Sequence, residues 1–259
     1  MTAKGITPET VPALAEFLLS MADDEFVIGF SDSEWTGIAP ILEEDVAMSS
    51  IAQDELGHAR ALYELLAILL DDGRDADALA YDREPEAYRH ASLLDHGRGD
   101  WATTMARRFL YDTADAARLA SIGEGWPPLA ELVAKIRREE RYHLMHVTVW
   151  ANRLAAAGGE ARSRFVSALE ALAVDAPSVL AAPEAEGALL AAGILNRPMA
   201  DAAAEWRVEV ARILDPLGIS LTLYADPAPR DLARVPSTDF QWLWGEFTSV
   251  RRSEVGATW

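Results

Sequence analysis

The sequence predicts an all-α protein built on a four-helix bundle, and three observations predict it. Apolar residues recur at the three-and-four spacing of amphipathic helices through most of the chain. Proline, glycine and capping residues cut that pattern into four long segments, joined by a short link, a long crossover and a second short link. Two Glu-x-x-His runs, Glu55 to His58 and Glu140 to His143, fall on the second and fourth of those segments.

Thr7-Pro8-Glu9 reads as a helix start, with a capping threonine and a proline at the first helical position. Leu14, Phe17, Leu18, Met21 and Phe26 follow at helical spacing, so the first helix is expected to reach about Phe30. Residues 31–39 connect it to a second long helix, opened by Pro40 and ended by Asp71-Asp72-Gly73. Residues 74–98 are polar, contain Pro85 and read as an irregular crossover with short helical pieces, in which His90 and His96 are expected to be exposed. A third helix spans about Asp100 to Ile122 and is stopped by Gly123-Glu124-Gly125. Pro127-Pro128 opens a fourth, which ends near Gly158-Gly159. Two more helices are expected near 160–174 and 198–214, the latter with Pro198 in its first turn. Ile219 to Tyr224 reads as a short strand or an extended arm, and Pro227-Ala228-Pro229 as a turn. A last helix is expected from Thr238 to about Val250. No fixed-period repeat and no strong boundary interrupts residues 1–259. A single domain is therefore expected, with its bundle core at about 8–158 and a helical extension at about 160–259.

Half of the 259 residues are hydrophobic, enough for a sizeable core, and this composition argues against disorder. The formal net charge of −19 repels nucleic acid and anionic membranes, so neither is an expected partner. There is no cysteine, which excludes disulfides, thiolate metal sites and cysteine nucleophiles. Any metal must be held by carboxylate and imidazole, a donor set suited to iron or manganese. No basic start precedes an apolar run, and no apolar run reaches about 18 residues. A soluble, cytoplasmic protein is expected.

Positions i and i+3 share a helix face, so each Glu-x-x-His run can aim a carboxylate and an imidazole at one point. Two such runs, with one carboxylate from each of two further helices, form the di-iron or di-manganese site of ferritin-like bundles. A ferritin-like four-helix bundle with additional C-terminal helices is the fold that follows. Glu25, beside Phe26, Val27 and Ile28, is the first-helix candidate and precedes Glu55 by 30 residues with a turn about midway. Asp112 is the third-helix candidate and precedes Glu140 by 28 residues across the Gly123–Pro128 turn, with Asp115 one turn on as its rival. The expected metal ligands are Glu25, Glu55, His58, Asp112, Glu140 and His143, for iron (di-iron) or manganese. Asp54 and Glu139 point away from that face and are expected in salt bridges, with Arg60 or Arg137 as candidate partners. Glu43-Glu44-Asp45 is expected to be an acidic first helical turn favoured by the macrodipole. Phe240, Trp242, Trp244 and Phe247 either pack on the bundle or form a docking surface.

Three stretches carry a resemblance: Glu34-Trp35-Thr36-Gly37-Ile38-Ala39-Pro40, the run Ile51 to Arg60, and Arg141-Tyr142-His143-Leu144. Here the chain resembles the subunits of the bacterial ring-1,2-phenylacetyl-CoA epoxidase, a multicomponent monooxygenase of phenylacetate catabolism, and most of all its C-type subunits. The resemblance covers essentially the whole chain. It implies a ferritin-like fold and a hetero-oligomer with a homologous A-type subunit, which carries the di-iron site and binds the CoA ester. A flavin and iron–sulfur reductase supplies electrons from NADPH. C-type subunits are implied to support the A-type subunit structurally, often with eroded metal ligands. This chain instead resembles the A-type ligand set: Glu25 ten residues before Trp35, Asp54-Glu55 with Gly57-His58, Asp112, and Glu139-Glu140 with His143. In such a site Glu55 and Glu140 would be the bridging carboxylates. Three readings stand: a subunit that pairs with the catalytic one and binds a di-metal centre itself, a metal-free scaffold subunit, or a free-standing di-iron ferroxidase. A homodimer is the other assembly open to the chain.

Overall fold

The computed structural model describes residues 5–223, 230 and 233–254. Among them the protein is all-α, and the one β-type pairing is an isolated antiparallel bridge between Ile122 and Leu195. The helices are α1 (Val11–Ser33), α2 (Leu42–Leu70), α3 (Ala76–Tyr81), α4 (Trp101–Ala120), α5 (Pro127–Ala157), α6 (Gly159–Leu172), α7 (Glu186–Ala191), α8 (Met199–Leu214) and α9 (Thr238–Ser253). Two long helices, a crossover and two further long helices are the ferritin-like order. None of the described helices is long and apolar enough to cross a membrane. The chain divides into two compact units, each assembled from separate stretches of sequence.

One unit comprises residues 1–17, 91–93 and 98–230. Its centre is α4, which packs against α5, α6, α8 and the 3₁₀ turn Ala176–Leu180. Asp100 caps α4 by accepting from the Thr103 backbone N–H and hydroxyl, both at 2.9 Å. Met105, Ala106, Phe109, Leu110 and Tyr111 are fully buried, so the helix is covered on nearly every face. Trp206 of α8 donates its indole N–H to Thr113 Oγ1 at 2.9 Å, which satisfies both buried polar groups. The α4–α5 link is stitched to the segment before α8: Gly123 N donates to Ile194 O at 2.8 Å and Gly125 N to Gly193 O at 2.9 Å. A Cβ at Gly125 would overlap the Ala192 carbonyl, so this backbone approach requires glycine.

The other unit comprises residues 18–90, 94–97 and 231–259. Gly29 lets α1 lie against α2, since a Cβ there would meet Leu56 Cγ at 3.0 Å and Glu55 Cβ at 3.1 Å. The buried Asp23 carboxylate anchors the crossover. It accepts from the Tyr63 hydroxyl, from both terminal nitrogens of Arg83 and from the Arg89 backbone N–H. Arg83 also stacks over the Tyr88 ring at 4.0 Å. Ser237 caps α9 by accepting from Phe240 N at 3.0 Å. Phe247 of α9 packs on Phe26 and Phe30, with ring centroids 4.9 and 5.1 Å apart, and Trp244 donates to Arg83 O at 2.9 Å.

Several expectations are corrected. The first helix starts at Val11 rather than at Pro8, because the Thr7 carbonyl accepts from both Thr10 N and Val11 N in a preceding turn. It continues to Ser33. The second begins at Leu42 rather than Pro40, because Ile38 N and Ala39 N both turn back to Trp35 O. His90 is buried rather than exposed, while His96 is exposed as expected. Residues 219–223 form no strand; Tyr224 and Pro227-Ala228-Pro229 lie outside the described residues.

Candidate metal centre

In the unit containing α2, Glu55 and His58 stand one turn apart on its buried face, and α1 presents the fully buried Glu25 beside them. His58 Nδ1 lies 3.5 Å from Glu25 Oε2 and 3.6 Å from Glu55 Oε2. The three side chains each offer a ligand atom, and those atoms lie within 4.8 Å of one another. Separations of 3.5–3.6 Å exceed a good hydrogen bond. They match two donors sharing one ion at about 2.1 Å from each, which stand roughly 3–4 Å apart. Two carboxylates and an imidazole are also the donor chemistry of iron and manganese sites. This buried Glu/His cluster could therefore hold a metal ion.

In the unit containing α4 and α5 the expected ligands have other neighbours. Glu140 and His143 are buried on α5, with His143 Nδ1 3.0 Å from Glu140 Oε1. Asp112 of α4 is buried, and Arg108 one turn earlier places Nη2 3.0 Å from its Oδ1. Neither side chain of that pair has any solvent exposure. The rival carboxylate, Asp115, is equally buried and is held by Arg118 through Nε at 2.8 Å and through Nη2. Arg118 further donates to Val179 O at 3.3 Å. Both α4 carboxylates thus point inward, and each has an arginine of its own helix. Sequence reasoning missed Arg108 and Arg118. Their spacing, four residues before Asp112 and three after Asp115, is that of helix pairs, but it does not by itself tell a buried pair from a solvated one.

A cavity of about 150 Å³ is lined by Phe26, Leu56, Tyr63 and Tyr81, with Arg60 and Asp77 as its charged groups. Burial, and next the Asp23 charge, push the Tyr63 phenol well above its ordinary range, so its proton stays on and is donated to Asp23. Burial also pulls the His90 imidazole below its usual value, against the opposing effect of its hydrogen bond to the Asp95 carboxylate. Of the expected surface features, Arg60 pairs with Glu64 at 3.1 Å. The acidic first turn of α2 is present, and Asp45 accepts from Gly37 N at 2.8 Å. Phe240 and Phe247 are buried, whereas Trp242 is exposed.

A family model described as "Phenylacetic acid catabolic protein" matches residues 2–259. Among curated proteins, the C-type subunit of the 1,2-phenylacetyl-CoA epoxidase of Escherichia coli (strain K12) is 32% identical over 198 residues. Those residues are 76% of this chain and 79% of the relative.

Proposed function

Because the chain belongs to the phenylacetic acid catabolic protein family, we propose that it is the C-type subunit of a 1,2-phenylacetyl-CoA epoxidase. The observation that carries this reading is the match to the C-type subunit of Escherichia coli over most of both chains. Its partner would be a homologous A-type subunit that performs the oxygenation, fed by the flavin and iron–sulfur reductase of the complex. Exposed apolar side chains support a protein partner. Tyr142, Met145 and Val149 form a stripe on α5, opposite the face of Glu140 and His143. Leu42 and Val46 stand exposed one turn apart at the start of α2.

The six residues Glu25, Glu55, His58, Asp112, Glu140 and His143 are read as the inherited frame of a carboxylate–histidine di-metal site. Glu25, Glu55 and His58 have the donor set and spacing for a divalent cation. Iron or manganese held there would supply a Lewis-acidic centre, redox-active in the case of iron. The chain's own residues fix its surroundings. Gly29 sets how closely α1 approaches Glu55. The second reading is a metal-free scaffold, and the two buried arginine–aspartate pairs of α4 favour it for that helix.

Co-expression with the homologous A-type subunit tests the assignment. A stable hetero-oligomer on size-exclusion chromatography is expected, and phenylacetyl-CoA turnover with the reductase should require both proteins. Separate elution at micromolar concentration, with full activity from the A-type protein by itself, would overturn it.

A further inference from the structure

We propose that the exposed face of α2 is a contact between two copies of this chain, packed antiparallel about a twofold axis that passes between Ile51 and Ala52. The proposal does not depend on the epoxidase assignment. It gives the apolar start of α2 to a second copy and leaves the Tyr142, Met145 and Val149 stripe of α5 to the A-type subunit.

Glu43, Val46, Ser50, Gln53, Gly57 and Arg60 are all exposed, and they follow one another by three and four residues along α2. That spacing makes one continuous stripe on the helix, about 25 Å long. Its first half projects apolar bulk: Val46 is 64% exposed, and Leu42 beside it 76%. Its second half has a gap. Gly57 lies in the interior of α2, where glycine is less favourable than alanine. Unlike Gly29 and Gly125, it has no reason inside the chain, because a Cβ added there would meet nothing within 4 Å. A helix of another copy lying across Gly57 supplies a reason, since a missing side chain lets a neighbour come close. The two halves of the stripe fit each other when the second copy runs antiparallel. Val46 then faces Gly57 of the second copy and fills its gap, as a knob enters a hole. In the same register Leu42 faces Ala61, Ser50 faces Gln53, and Arg60 faces Glu43, so that opposite charges meet at both ends. Each contact occurs twice, as a twofold interface requires. Sliding one copy by a turn in one direction would set Glu43 against Glu64, like charge on like; in the other it would set Arg60 against the uncharged Ala39. Arg60 can turn to the second copy, because its pair with Glu64 at 3.1 Å is exposed on both sides and such pairs hold weakly.

The chain has no cysteine, so introduced cysteines read the contact without background. In this pairing the two copies of residue 46 stand about 16 Å apart along the helix axis, as do the two copies of residue 57. That is too far for a disulfide. Val46→Cys alone and Gly57→Cys alone should therefore stay uncross-linked under mild oxidation, while an equimolar mixture should give a covalent dimer of one of each. Sedimentation of the unmodified full chain at physiological salt should show a dimer at micromolar concentration. Val46→Asp and Gly57→Leu change positions open to solvent, so they should keep the circular dichroism of the parent and weaken dimerisation at least tenfold. Arg60→Glu should weaken it as well, and Glu43→Arg in the same chain should restore it. A monomer at tens of micromolar, no mixed disulfide, or a dimer untouched by Val46→Asp would overturn the proposal. So would a chain that sediments as a monomer and loses its complex with the A-type subunit on Val46→Asp, which would assign the face to that subunit. A dimer with the mixed disulfide, in a chain that fails to join the A-type subunit, would leave this contact standing and remove the epoxidase reading.

Discussion

His90 is stacked on Phe240 at 4.1 Å, with Nε2 2.8 Å from Asp95 Oδ1 and Arg234 reaching both the ring and its carbonyl oxygen. Burial depresses its pKa below the ordinary value of 6.5, helped by the Arg234 charge and opposed by Asp95. The unfolded chain therefore takes up a proton as pH falls through about 6.5, while the folded chain does not. The stability due to neutral His90 is full above that pH and is lost as pH falls towards the folded pKa. The melting temperature should accordingly drop between about pH 7.5 and pH 5, and His90→Gln should flatten that slope. An unchanged slope would mean that other groups set the acid limit. At this scale the sequence was informative where one helix turn fixes geometry, as for Glu55 and His58. It was silent on Arg108 because an arginine four residues from an aspartate is as common on a solvated face as in a core.

Two glycines decide how closely elements approach. Alanine at Gly29 would gain about 1 kcal/mol of helix propensity. The added methyl would press on Glu55 Cβ and on the Ala52 carbonyl at 3.2 Å, atoms that α2 holds in place. Overpacking of this kind costs about 1–3 kcal/mol, so Gly29→Ala should lower the melting temperature and displace Glu55. Gly125→Ala should be worse, since its methyl would overlap three backbone atoms of residues 192–194 rather than a flexible tip. Thermal unfolding of the two variants checks the order. The four long helices were legible because their apolar period persists over many turns. Their starts were not, since Thr7-Pro8 and Pro40 offer helix-opening chemistry that backbone turns at Thr10 and Trp35 take instead. The short helices α3 and α7 have six residues each, too few to show a period.

Over the whole molecule, acidic charge and helix order were readable from composition and spacing, whereas the grouping of distant stretches was not. Residues 231–259 join residues 18–90 in one unit, yet no composition shift marks the pairing. α9 buries Phe240 and Phe247 against Phe26, Phe30 and Tyr88, and its Arg251 bridges to Asp82. A chain ending before Thr238 should expose that aromatic surface, bind a hydrophobic dye such as ANS and melt with lost cooperativity. Native-like melting without dye binding would show α9 to be dispensable.

The same feature sets an order of events on the ribosome. Protein domains generally fold as they emerge, amino-terminal first. Here the helices bearing Glu25, Glu55 and His58 are synthesised well before α9, which covers Phe26 and Phe30. The early helices must wait with aromatic surface uncovered while the 167 residues between Leu70 and Thr238 are translated, an interval in which a chaperone or the future partner subunit would find them accessible.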